Sequence, residues 1–99
     1  MNEVGKLHVP FKAYLKKIGL PFDYSKTHKR TTSTPGQPDF SVYKGGRVFF
    51  VEFKDLGGKL SDDQEKRILE LKAAGNQVCV CYDLQHAVDL LDYWRHNIL

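Results

Sequence analysis

The sequence has no long apolar run; its hydrophobic stretches are a few residues each, far short of the ~20 that a membrane-spanning helix needs. Its first residues, MNEVGKLHVP, lack the basic-then-apolar pattern of a secretory leader. We therefore expect a protein that is not secreted, is not held in a membrane, and works in the cytoplasm. Cysteine is scarce. Cys79 and Cys81 stand two apart on an expected strand, poorly placed to bridge each other, and read as buried thiols of a reducing compartment. A metal site built on Cys-x-Cys alone would lack ligands. An excess of one charge is also missing: 15 Lys and Arg against 12 Asp and Glu leave +3, which permits an anionic partner without demanding one. No repeat, linker or low-complexity tract divides residues 1–99, so a single domain is expected. A chain of this length buries somewhat over ~60% of its unfolded surface and can fold alone.

What is present reads as alternating elements. Lys12–Ile18 has a helical pattern starting near Pro10, whose fixed φ suits a first turn, and Gly19-Leu20-Pro21 stops it. Glu3–His8 is either an earlier turn of that helix or a loose arm. Ser25–Thr34, SKTHKRTTST, has no apolar residue, and Pro35-Gly36-Gln37-Pro38 closes it as a long loop. Ser61-Asp62-Asp63-Gln64 opens a second helix as a capping box, with acids in the first turn where the helix dipole favours them. It runs to about Ala74 and stops at Gly75, with Gln64, Ile68 and Leu71 on its inward face. Gln77–Asp83 is apolar on both faces, as in a strand buried in a parallel sheet. Strand, helix and strand from Arg47 to Asp83 predict a right-handed crossover. Asp83 or a neighbour caps a last helix carrying Ala87, Val88, Leu91 and Trp94. The expected class is α/β, a small mixed sheet flanked by helices in the order α-β-β-α-β-α.

The stretch between the loop and the second helix, PDFSVYKGGRVFFVEFK, sets charges in an apolar setting. Glycine supplies positive φ cheaply, so Lys44-Gly45-Gly46 marks a hairpin. With Gly45-Gly46 as a two-residue turn, Lys44 faces Arg47, and counting outwards sets Asp39 opposite Glu52. Their Cβ atoms would then be roughly 4.5–5.5 Å apart. Lys54, two residues beyond Glu52, projects from the same face, while Phe40, Val42, Phe49, Val51 and Phe53 line the other as core. Two such acids repel unless something positive lies between them, and Mg²⁺ takes oxygen ligands from one or two carboxylates. A lysine beside the ion could orient an attacking water or stabilise charge developing on a phosphate. That combination suits hydrolysis of a phosphodiester.

Pro38-Asp39 followed by Glu52-Phe53-Lys54 resembles the PD-(D/E)xK signature of the restriction-endonuclease-like nucleases. Around it, Gly36-x-Pro38-Asp39-Phe40, Phe50-Val51-Glu52-Phe53-Lys54, Gly58-Lys59-Leu60-Ser61, Gln64, Leu71-x-x-x-Gly75 and the strand Val78–Tyr82 occur in order. Together they resemble the virus-type replication-repair nuclease (VRR-NUC) family over roughly Pro35–Val88. The resemblance implies a restriction-endonuclease-like sheet. It implies metal binding by Asp39, Glu52 and the backbone carbonyl of Phe53, with Lys54 and Gln64 completing a catalytic set. Many members add an acid from the first helix, for which Glu3 is the candidate. It further implies Mg²⁺ or Mn²⁺ as cofactor, no small-molecule cofactor, and a 5′-phosphate with a 3′-hydroxyl as products. Short stand-alone members are viral or bacterial and resemble Holliday-junction resolvases.

Each assignment has a plainer alternative. Gln64 is either a cap or a site residue, and Lys26, His28, Lys29 and Arg30 are either a solvated loop or phosphate contacts, with Lys59 as a further contact. His8, His86 and His96 lack partners at metal-ligand spacing and read as structural or exposed. No base-reading module is recognisable, so recognition of shape rather than sequence is expected, and the family resemblance implies that the shape is branched DNA, four-way junctions included. The rivals are a nucleic-acid-binding module that does not cut, and an RNA-directed nuclease of the same fold. Cutting a four-way junction twice requires two chains, so a homodimer is expected. Leu90, Leu91, Tyr93, Trp94, Ile98 and Leu99 on the last helix offer either that interface or packing against the first helix.

Overall fold

Helices and strands alternate as α1 (Glu3–Ile18), β1 (Phe22–Tyr24), β2 (Phe40–Lys44), β3 (Arg47–Phe53), α2 (Asp62–Ala73), β4 (Gln77–Cys81) and α3 (Leu84–His96) in the computed structural model. The structure describes residues 3–25 and 36–97, excluding the side chains of residues 3–5. The strands form one sheet in the order β1-β2-β3-β4, antiparallel at the first two joints and parallel between β3 and β4. This is the expected α/β class with one strand more than the sequence pattern suggests.

The hairpin follows its turn. Gly45 and Gly46 have φ of 58° and 76°, the positive values that a primed two-residue turn requires. Lys44 pairs with Arg47, Val42 with Phe49 and Phe40 with Val51, which is the expected register. Asp39 is the residue just before β2 and so stands at the position across from Glu52.

Two expectations are corrected. β1 lies where the expected order of elements has no strand: Phe22, Asp23 and Tyr24 pair with Val42, Ser41 and Phe40. Three residues are too few to show a period; this strand forms because the outer edge of β2 offers peptide groups that need partners. The first helix does not start near Pro10 but runs through it from Glu3, so of the two readings of Glu3–His8 the earlier turn of the same helix holds. Proline removes the N–H that would reach back one turn. Burying Phe11 and Leu15, both 0% exposed, with Leu7 and His8 on the same side, outweighs that loss.

Helices cover both faces of the sheet. Phe40, Val42, Phe49, Val51 and Phe53 pack against Phe11 and Leu15 of α1 and Ala87 and Leu91 of α3. On the other face Phe50 and Val78 meet Ile68 and Leu71 of α2 in a smaller cluster. Asp83 caps α3, accepting the His86 N–H at 2.7 Å. Most of the apolar surface expected to be surplus on α3 is used internally: Leu91 is buried, Leu90 packs on the core, and Trp94 lies 5.2 Å from Phe49 between ring centroids. Tyr93 stays 71% exposed, and Ile98 and Leu99 lie outside the described residues. Cys79 and Cys81 are free thiols, and burial pushes the Cys81 group up to about 12, so it is inert at neutral pH. Among the described residues, no helix is long and apolar enough to cross a membrane.

Candidate active site

β3 and β4 end side by side, the entry to β2 lies next to them, and the first turn of α2 arrives at the same end of the sheet. Here Asp39 and Glu52 are each only 2% exposed. Asp39 Oδ2 accepts the Phe53 N–H at 3.0 Å and lies 3.1 Å from His8 Nε2. Glu52 Oε2 accepts a hydrogen bond from Gln64 Nε2 at 3.0 Å, whereas Oε1 is buried with no partner among the described residues. Burial is the main cause that pushes the Glu52 carboxyl up to about 8, and the negative charge of Asp39 adds to it. Lys54 and the Asp39 backbone N–H act in the opposite direction but do not offset the rise. Left alone at neutral pH, Glu52 is therefore mostly protonated.

Gln64 makes the contacts that both of its readings call for. Its Oε1 accepts the Ser61 N–H at 2.8 Å and its own N–H donates to Ser61 Oγ at 3.1 Å, completing the capping box. The other end of the same amide reaches Glu52. One planar group thus ties the start of α2 to the middle of the acid pair. Gly36 makes that approach close. Its φ is +77°, and a Cβ there would stand 2.2 Å from the Asp63 carbonyl oxygen and 2.7 Å from the Gln64 nitrogen. Arg67 Nε donates to Gln37 Oε1 at 3.1 Å, a second tie between this loop and α2.

Lys54 follows β3 half-buried, its N–H donating to the Cys81 carbonyl at 3.0 Å and its ammonium acting on Glu52. Phe53, between Glu52 and Lys54 in the chain, is buried, with its N–H on Asp39. Lys59 is exposed on the loop before α2. Glu3 begins α1, but its side chain lies outside the described ones, as do residues Lys26, His28, Lys29 and Arg30 in full.

His8 is the residue that sequence reasoning missed. It is not without partners: besides Asp39, its Nδ1 lies 2.8 Å from Tyr24 Oη. The ring packs edge-on against Tyr24 and Phe40, with centroids 5.1 and 5.6 Å away. Burial chiefly, helped by the charge of Asp39, raises the Tyr24 phenol above its ordinary value, so its hydroxyl keeps its proton. A signal was present: His8, Phe11 and Leu15 stand at i, i+3 and i+7, one helical face that continues through Pro10.

Among the described residues, no three His, Cys, Asp or Glu side chains gather as a metal cluster. A hard divalent cation asks for less, since one or two carboxylates suffice when water and phosphate complete its shell. The buried, partnerless Oε1 of Glu52 beside a second carboxylate fits that requirement. The oxygen donor set suits Mg²⁺ or Mn²⁺.

The family model of the VRR-NUC domain matches residues 14–83. A solved structure described as a VRR_NUC domain superposes with a TM-score of 0.75, covering 95% of this chain and 99% of that one at 21% identity. At such identity the likeness speaks for the fold alone. No curated protein matches the chain. His8 lies before the matched span.

Proposed function

Because the chain belongs to the VRR-NUC domain family, matched over residues 14–83, we propose that this nuclease-like domain is a Mg²⁺- or Mn²⁺-dependent endodeoxyribonuclease acting on branched DNA. The observation that supports this best is the buried Asp39 and Glu52 pair, with one Glu52 oxygen lacking a partner among the described residues. Asp39, Glu52 and the Phe53 carbonyl would hold the ion. When bound, it supplies charge to offset a phosphate oxygen and makes a nearby water more acidic.

The remaining work falls to the chain. Gln64 keeps the Glu52 carboxylate turned by holding Oε2. Lys54 orients the attacking water or stabilises the negative charge that grows on the phosphate. Water adds to phosphorus as the sugar 3′-oxygen leaves, which gives a 5′-phosphate and a 3′-hydroxyl. Lys26, Lys29 and Arg30, shortly before Asp39 in sequence, are assigned to phosphate contact, with His28 and Lys59 beside them. One chain carries one Asp39-Glu52-Lys54 set, so paired cuts in a four-way junction are assigned to a homodimer.

Labelled four-way, flap and linear DNA incubated with Mg²⁺, Mn²⁺ or EDTA tests the reading. Metal-dependent cutting that favours the branched substrates is expected. Asp39→Asn and Glu52→Gln should each slow it at least ~100-fold, about 2.7 kcal/mol of barrier, while DNA still binds. Near-normal cutting by either variant rejects the assignment. Binding by the wild type without any cutting leaves a nucleic-acid-binding module instead.

A further inference from the structure

An ionised carboxylate only accepts hydrogen bonds, so the His8 nitrogen facing Asp39, Nε2, is assigned the proton. In the neutral ring Nδ1 is then an acceptor, and the Tyr24 hydroxyl 2.8 Å away is its donor. The hydrogen bonds run in one direction: Tyr24 O–H to His8, His8 N–H to Asp39. Tyr24 is itself fixed from two sides. β1 pairs it with Phe40, and the Lys12 ammonium sits 3.7 Å above its ring. The His8 side chain is 12% exposed and wedged among Tyr24, Phe40 and Phe53, so its ring has little freedom to turn.

This arrangement has a direction as well as a strength. Among the described residues, the two donors that reach the Asp39 carboxylate, His8 Nε2 and the Phe53 N–H, converge on the same oxygen, Oδ2. Among the described residues, none donates to Oδ1. Both nitrogens of this largely buried ring have partners, and the one facing the carboxylate reaches it as a donor, a contact that phenylalanine among these rings could not make.

Resting on the metal-dependent reading above, we infer that His8 and Tyr24 are positioning residues of the metal site: Tyr24 sets the His8 ring, and His8 pins Oδ2 of Asp39, leaving Oδ1 for the cation. Partners that orient metal-binding groups from behind commonly change metal affinity by ~10–100-fold. α1 and the edge strand β1 thereby contribute to the site without touching substrate.

Mn²⁺ binding to the DNA-free protein, followed by calorimetry or by the electron paramagnetic resonance of free Mn²⁺, tests this. Tyr24→Phe should weaken binding ~10-fold and His8→Phe by up to ~100-fold. His8→Gln, whose amide can still donate to Asp39, should recover part of the loss. Raised Mn²⁺ should restore cutting by Tyr24→Phe, and DNA affinity in EDTA should not change. Circular dichroism checks that each variant is folded; if His8→Phe is not, Tyr24→Phe, which loses one oxygen, carries the test. Folded Tyr24→Phe and His8→Phe proteins that bind Mn²⁺ as well as wild type overturn the inference and leave the nuclease reading intact. A wild type that binds no Mn²⁺ overturns both.

Discussion

Between its ordinary value of 4.5 and the value of about 8 it takes when buried, Glu52 holds a proton in the native state that the unfolded chain has already released. Without metal, stability therefore declines as pH rises through that interval, and the loss is complete above it. Glu52→Gln removes the titration. In EDTA its melting temperature should exceed the wild-type value at pH 8, with the gap closing towards pH 5, as calorimetry across that range would read; parallel pH profiles would reject the account. Gln64 gives a second prediction at this scale. Gln64→Ala loses both ends of the amide and should cut at least ~10-fold more slowly, about 1.4 kcal/mol of barrier, with only a modest loss of stability. Gln64→Glu keeps an acceptor for the Ser61 N–H but sets a carboxyl oxygen against Glu52 Oε2. It should fold and fail to cut; full activity would show that the Glu52 contact is dispensable.

Among the elements, the closest join is between the Gly36 loop and α2. Gly36→Ala meets both a positive φ and the α2 backbone, and the strained conformation alone costs on the order of 1–3 kcal/mol. The expected result is a lower melting temperature together with slower cutting, because the displaced loop carries Asp39 and the displaced turn carries Gln64. A variant that melts and cuts as wild type would mean the loop can shift at no cost. Elements governed by local chemistry were legible in the sequence: Gly45-Gly46 determined the hairpin register, and Ser61 with Gln64 determined where α2 begins. The same register was enough to bring Asp39 and Glu52 together on paper. β1 was not legible, since three residues form a strand only when β2 is already in place. The first half of α1 was left between two readings by Pro10, where packing against the sheet overrides a poor local preference. His8 was lost with it, because its partner Asp39 is distant in sequence and the pair exists only once α1 has docked.

At the scale of the molecule, the dimer has less support from α3 than its composition suggested. Leu90, Leu91 and Trp94 face the core, and Tyr93 is the exposed aromatic left on the described part of that helix. We still expect a dimer of roughly twice 11.4 kDa by light scattering, and two chains bound per junction, because two cuts need two sites. A strict monomer there would move the activity to nicking or flap cleavage. The unequal halves of the core carry a different consequence. α1 and α3 are anchored by Phe11, Leu15, Ala87 and Leu91, all 0% exposed, while α2 is held by Ile68 and Leu71, each 7% exposed, over the smaller cluster. Helices with fewer buried contacts open first. Amide hydrogen exchange should accordingly be faster through residues 64–71 than through residues 11–15, and metal should slow it by drawing Glu52 and its Gln64 partner into a single ionised arrangement. Each such opening carries Gln64 away from Glu52 while the sheet stays folded, so on warming the candidate site should disassemble before the protein does.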